Sequence, residues 1–390
     1  MEKNRLRVIR GGLRPRELCP RNFISAYVTD TRLMGALAMH IHWAVEDCPD
    51  ASDLHQYFYF DATENGFETY KSVWNNDQND IQVIEQTLVG CLGGKQIEIS
   101  EKEARDLFTV YTALNKKNEQ PLPEGEPEYR DLLGAPEPDA ERKLILLEKC
   151  CTKIESEYQL IHYFLMRSFE KDLPAAEFLA EDGVCTEPYK ELGQSSMCRN
   201  VIDRKDSSYL CRSLVEENGQ YRLLVTRLQT NGDLISLCER QSGFRVSSSE
   251  AAMMLSRSEF ITVYEMIADP EDISDEILEF NFNTMITPHE NGRLFMTFNS
   301  NNDHVKKRIF RLSEDVMGLY YLTDYGQFLA ASYDEEHIRI LERSLISSTM
   351  GTYLIPTAKY EFKEPVLYEF INSDFTDFEE FLDIIRDDDE

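Results

Sequence analysis

The cleanest alternation in the chain runs from Leu37 to Val45. Leu37, Met39, Ile41, Trp43 and Val45 make one apolar face, and Ala38, His40, His42 and Ala44 make the other. A period of two predicts a strand with one side toward a core. His55 to Asp61, rich in Tyr and Phe, predicts its neighbour, and Asn65-Gly66 offers the left-handed backbone that a tight hairpin into Phe67–Trp74 needs. The period then changes. Ile81, Ile84, Leu88 and Cys91 share one helical stripe between Gln78 and Cys91, stopped by Gly93 and Gly94. A short strand, Gln96 to Ile99, leads to Ser100-x-x-Glu103, the capping-box pattern of a helix start. Ala104, Leu107, Phe108, Tyr111 and Leu114 follow at helical spacing.

Residues 118–139 carry Pro121, Pro123, Pro127, Pro136 and Pro138 among acids, with no apolar period, and read as an exposed connector. Helices are predicted over 140–153, 157–169 and 173–181, the last after Asp172 as a cap, and 183–196 is irregular. Strands return at 209–215, 221–228 and 234–240, separated by Asn218-Gly219 and Asn231-Gly232, which predicts an antiparallel meander. Ser247-x-x-Glu250 starts a short helix and 260–266 reads as a strand. A second meander is predicted over 278–287, 293–298, 307–312, 319–323 and 327–331, with Asn291-Gly292 as a turn. A helix over 334–345 follows, on Ile338, Leu341 and Leu345.

This order predicts an α+β fold: antiparallel strand meanders, each followed by amphipathic helices, with a helical middle segment. The length of 390 residues implies at least two domains. The expected division is a basic arm (1–22), an α+β domain (23–117), the connector (118–139), a helical segment (140–196), an antiparallel α+β domain (197–372) and an acidic amphipathic helix (373–390).

Composition changes the picture in three ways. An apolar content of 42% allows packed cores and excludes global disorder. Nine cysteines, odd in number and without a C-x-x-C pair, read as reduced thiols, so a cytoplasmic protein is expected. No apolar stretch follows the charged N-terminus and no run of about 18 apolar residues occurs, so neither a signal peptide nor a membrane span is expected. The formal net charge is −30, unevenly spread. Residues 1–22 hold seven basic side chains against Glu2 and Glu17, whereas 364–390 hold eleven acids against Arg386. Such a surface repels nucleic-acid backbones and acidic membranes and attracts basic partners.

Candidate chemistry is sparse. His40-x-His42 places two imidazoles on one side of a strand, with His55 and Asp61 on the predicted neighbour, a possible metal set for assisted hydrolysis. A satisfied pair of surface imidazoles is the alternative. Leu92-Gly93-Gly94-Lys95 fails as a phosphate loop, because no glycine stands five residues before Gly94 and Gln96 stands where Ser or Thr belongs. Arg5, Arg7, Arg10, Arg14 and Arg16 could touch nucleic-acid phosphates, but no aromatic residue precedes Phe23 to stack on bases. The tail is the stronger lead. Ser373 can cap a helix whose Phe375, Phe378, Phe381 and Leu382 would anchor a partner while Asp377, Glu380 and Asp383 steer it. The same stripe equally suits a last core helix. The expectation is a non-catalytic regulatory protein without a cofactor, binding a basic protein partner.

Overall fold

The computed structural model describes residues 19–48, 50–256, 258–280, 284–298 and 316–388. Within them the chain is α+β, with antiparallel sheets of five, four and six strands. Two compact units are formed. The first comprises the described residues up to Gln194 with Ile202–Leu210 and Arg227–Arg240; the second comprises Ser195–Val201, Cys211–Thr226 and the described residues from Gln241.

In the first unit, β1 (Arg21–Thr29), β2 (Ala36–Val45), β3 (Asp53–Asp61) and β4 (Gly66–Trp74) form a meander, and β5 (Gln96–Ile99) adds to the free side of β1. Alternation decides which side is buried. The odd residues of β2 and Leu54, Phe58 and Phe60 of β3 enter one aromatic-rich core. Helix α2 (Glu101–Lys117) covers that core with Leu107, Phe108 and Tyr111. Both arms of its capping box are made: Ser100 Oγ accepts from Glu103 N at 3.3 Å, and Glu103 Oε2 accepts from Ser100 N at 2.8 Å.

The predicted helix at 78–91 is α1 (Gln78–Ile84), continued by a π turn at Glu85–Val89 and a tight turn to Leu92. This stretch covers the opposite side of the sheet, where Ile81 and Val89 meet Ala38, Tyr57 and Val73. β1 escapes prediction because its outer half is half-exposed and shows no apolar period.

The proline-rich segment is largely exposed, yet it is anchored to the first unit. It contains α3 (Glu126–Tyr129), and Tyr129 and Leu132 are buried in the core of the first unit. Glu128 is gripped by Tyr70 Oη at 2.9 Å and Trp74 Nε1 at 3.3 Å. Two apolar anchors are too few to make a period, so the sequence pattern hides them. Helices α4 (Ala140–Cys150), α5 (Glu157–Phe169) and α6 (Leu173–Phe178) follow. The four-stranded sheet runs in order through β6 (Ser196–Lys205), β7 (Ser208–Glu217), β8 (Gln220–Asn231) and β9 (Leu234–Val246). Asn218 and Gly219 both adopt positive φ in its β7–β8 turn, as the Asn-Gly pair predicts.

In the second unit α7 (Ser248–Leu255) precedes β10 (Glu259–Met266), and α8 (Pro270–Phe280) precedes the meander β11 (Thr284–His289), β12 (Gly292–Phe298), β13 (Val316–Thr323) and β14 (Gln327–Ser332). Helix α9 (Glu335–Ser347), β15 (Leu354–Phe362), α10 (Leu367–Ile371) and α11 (Phe378–Asp388) complete it. The sheet order is β11-β12-β13-β14-β10-β15. Leu278 lies in α8 and does not open a strand. The β11–β12 turn is Glu290-Asn291, one residue earlier than predicted. Gly292 is a strand residue, glycine because a Cβ there would stand 2.1 Å from the Leu322 carbonyl oxygen. The predicted strand at 307–312 lies outside the described residues.

Candidate functional site

Register brings three of the predicted site histidines together. His42 pairs with His55 and His40 with Tyr57 across β2 and β3, so all four rings share the face opposite the aromatic core. They stack. His40 lies on Tyr57 with centroids 4.4 Å apart and planes 5° apart, and His42 lies on His55 at 4.0 Å and 14°. His40 Nε2 and His55 Nδ1 are 3.0 Å apart, and His55 Nε2 bonds Asn76 Oδ1. The amide oxygen of Asn76 accepts, so His55 carries its hydrogen on Nε2. Its Nδ1 is then the acceptor, and His40 Nε2–H donates to it. The chain of bonds therefore runs from His40 through His55 to Asn76, with both rings neutral.

Burial pushes His40 down to about 3, helped by the neighbouring His55 and His42. His55 is also lowered, chiefly by burial and against the bond to Asn76. Asp53 completes the face: its Oδ1 is 3.0 Å from His42 Nε2 and its Oδ2 accepts from Ser52 Oγ at 2.6 Å. The Ser52 hydrogen bond is the main reason that carboxyl is held below its ordinary range. Ser52 thus donates to a carboxylate and forms no serine–imidazole nucleophile pair.

Asp61, predicted as the fourth member, is elsewhere. It pairs with Ala36, four residues beyond Tyr57, roughly 13 Å along the strand. There it caps the β3–β4 turn, accepting from Thr63 N at 2.8 Å and Asn65 N at 3.1 Å. Strand spacing alone pointed to His55 and Asp61 together, whereas pairing register selects Asp53 and the turn residue Asn76. Among the described residues no group of three or more His, Cys, Asp or Glu side chains could hold a metal ion. Stacked rings bonded edge to edge do not aim their lone pairs at a common point.

A second feature of the first unit is a groove of about 850 Å³. Leu107, Val110, Tyr111 and Leu114 of α2, Leu144 and Leu147 of α4, and Pro174 and Phe178 of α6 wall it. Arg32 and Asp172 lie at its floor. Asp172 stands at the N-cap of α6, as predicted, but its carboxylate makes no cap bond and instead takes both Nη groups of Arg32, the Nη2–Oδ1 bond being 2.7 Å. Arg167, wholly buried, reaches Asp172 Oδ2 at 3.4 Å and Glu170 Oε2 at 2.7 Å. Two cations and two carboxylates neutralise each other in place. Gly35, at φ +92°, lets the Arg167 guanidinium lie against the backbone; a Cβ would be 2.7 Å from Nη1. Cys150 and Cys151 are each pushed up to about 12, chiefly by burial, so neither is a thiolate nucleophile at neutral pH. None of the nine cysteines forms a disulfide.

The tail falls in the second unit. Phe378, Phe381 and Leu382 are 0%, 5% and 3% exposed and belong to its core, with Phe375 packed against them. The predicted anchors face inward, because α11 joins α7 and α10 in covering one side of the sheet. The cap is Asp377, whose Oδ1 accepts from Glu379 N and Glu380 N; Ser373 turns back to the Phe370 carbonyl. Glu379, Glu380 and Asp383 face outward. Arg5, Arg7, Arg10, Arg14 and Arg16 lie outside the described residues. Among the described residues no helix is long and apolar enough to cross a membrane.

Comparison with family models, with curated proteins and with solved structures yields no match.

Proposed function

We propose that this is a non-catalytic cytoplasmic binding protein for a basic protein partner, with the groove of the first unit accepting the partner's apolar side chains. The groove carries this reading. It is open and apolar-walled, and beside it Leu144 and Ile145 of α4 are 49% and 45% exposed. Large aliphatic side chains left in water beside a groove favour a protein ligand. The charged groups in the floor already neutralise one another, so they offer a substrate no free acid or base. What remains is apolar area and shape, with Lys117, Lys143, Lys171, Glu137 and Glu177 also in the lining.

The sign of the partner follows from the field. A net charge of −30 draws cationic chains and turns away polyanions. Glu379, Glu380 and Asp383 on α11 add to that field at long range, while Phe378, Phe381 and Leu382 support the second unit.

Fluorescence anisotropy with two labelled amphipathic helical peptides tests the reading, one built of Leu and Lys and the other of Leu and Glu. The Leu/Lys peptide is expected to bind, to weaken with added salt, and to lose at least about tenfold in affinity on Leu144→Glu, roughly 1.4 kcal/mol. Equal affinity for both peptides, or binding indifferent to Leu144→Glu, defeats it.

A further inference from the structure

Helix α4 presents a face that is both aliphatic and acidic. Its three cations are engaged by other segments: Arg142 with Asp106, Lys143 with Glu137 at 2.8 Å and Lys149 with Glu103 at 2.7 Å. Its exposed acids, Glu141 and Glu148, make no ion pair among the described residues. Leu144 and Ile145 each stand three or four residues from both acids, so the four side chains share one face. Two half-exposed aliphatic side chains are thus framed by two carboxylates beside the groove. Such a face is complementary to a segment that mixes cations with aliphatic residues.

The chain carries a segment of that kind. Residues 1–18, outside the described residues, hold six basic side chains against Glu2 and Glu17, and Leu6, Val8, Ile9 and Leu13 lie among the arginines. Residues 19–194 hold 33 acids against 16 basic side chains, a field that draws the arm inward. Reach is sufficient. Cys19 and Pro20 share a hollow with Glu101 and Arg105 at the start of α2. Leu114 in the groove wall is about 14 Å further along that helix than Arg105. An extended segment as long as 1–18 spans up to about 60 Å.

We propose that the basic arm, residues 1–18, occupies the groove in cis as a tethered competitor, so that a partner binds by displacing it. This rests on the groove reading above and adds its regulation. Aliphatic residues of the arm cover Leu144 and Ile145, and its guanidiniums answer Glu141 and Glu148. The arm has the same chemistry as the partner inferred from the field, basic and apolar together, and it is present at a fixed stoichiometry of one. Tethering supplies an effective concentration of about 1 mM, so an arm with a Kd of about 0.1 mM lowers a partner's affinity about tenfold.

Fluorescence anisotropy on the full chain tests this, with Leu6→Ser, Val8→Ser and Ile9→Ser combined in one variant. Every charge is kept, so the long-range field is unchanged. The labelled Leu/Lys peptide is expected to bind this variant about tenfold more tightly than the wild type. A labelled peptide of residues 1–18 is expected to bind the variant and to lose about tenfold on Leu144→Glu. Equal affinity of the Leu/Lys peptide for variant and wild type overturns the arm's place while the groove reading stands. If that peptide binds neither chain, the groove reading fails and the arm peptide decides. Binding weakened by Leu144→Glu then upholds the arm's place. No binding, or binding indifferent to Leu144→Glu, overturns it.

Discussion

The two large sheets solve burial differently. In the second unit both faces are apolar. Ile261, Val263, Leu294, Met296, Leu319 and Tyr321 point to one core, while Tyr264, Phe295, Tyr320, Leu322 and Phe328 point to the other. In the first unit one face enters the aromatic core, and the other carries stacked imidazoles under a short cover. A sheet buried twice reads as near-continuous apolar runs, such as Val316 to Thr323, and has little room for titratable groups. A sheet buried once alternates, and its second face can collect polar side chains.

The second unit does bury one carboxylate in its strands. Glu259 is 0% exposed, and its Oε2 accepts from Val366 N at 2.7 Å and Leu367 N at 2.8 Å. Burial pushes it up, against the pull of those amides. Acid therefore strains His40 and His55 on the first unit's sheet, and base strains Glu259 on the second's.

The most forceful way to break this contrast is to remove a core aromatic from the doubly buried sheet. Phe378→Ala is expected to cost about 3–5 kcal/mol in denaturant unfolding, and deletion of 373–390 to unfold the second unit. A loss below about 1 kcal/mol would return α11 to the role of a free partner-binding helix.

Next comes the buried ion cluster. Asp172→Ala strands two guanidiniums and is expected to cost about 3 kcal/mol or more. Replacing Arg32, Arg167, Asp172 and Glu170 together with apolar residues of similar volume should recover most of it. If Asp172→Ala is silent in an unfolding titration, the cluster contributes nothing to the groove floor.

A smaller effect tests the histidine face directly. His40 is lowered in the folded chain, so below its ordinary 6.5 the unfolded chain binds the extra proton. Its contribution is complete above about pH 6.5 and is lost toward about pH 3, at about 1.4 kcal/mol per pH unit. His40→Phe should remove that slope from stability measured against pH.

For Glu259 the sign reverses. A raised carboxyl stabilises most below its unfolded value and loses that contribution as pH rises through the folded one. Glu259→Gln should therefore gain on the wild type as pH increases, and a constant difference would show that the group does not titrate on unfolding. Smallest of all, Glu380→Gln should change stability by less than about 0.5 kcal/mol while weakening the Leu/Lys peptide in low salt.

Legibility followed the strength of the local pattern. β2, the two capping boxes and α9 were visible because alternation, a Ser-x-x-Glu pair or a three-residue apolar stripe is written within one element. β15 and the packing of 118–139 were not. β15 is an edge strand with most of its residues exposed or half-exposed, and Tyr129 is a single aromatic in a polar stretch. The histidine stack was half visible: the His40-x-His42 spacing announced a shared face, but its hydrogen-bond partners depend on which residue of β3 lies opposite.

By itself the sequence determined the α+β class, the hairpin turn at Asn218-Gly219, the inward side of β2 and the negative field, since each depends on neighbours in the chain or on composition alone. The tertiary structure decided that Asp53 and Asn76, and not Asp61, complete the histidine face, that Asp172 neutralises two arginines, and that the tail's aromatic stripe turns inward. Those outcomes rest on strand register and on which surfaces are left bare when distant segments meet, and a linear pattern carries no record of either.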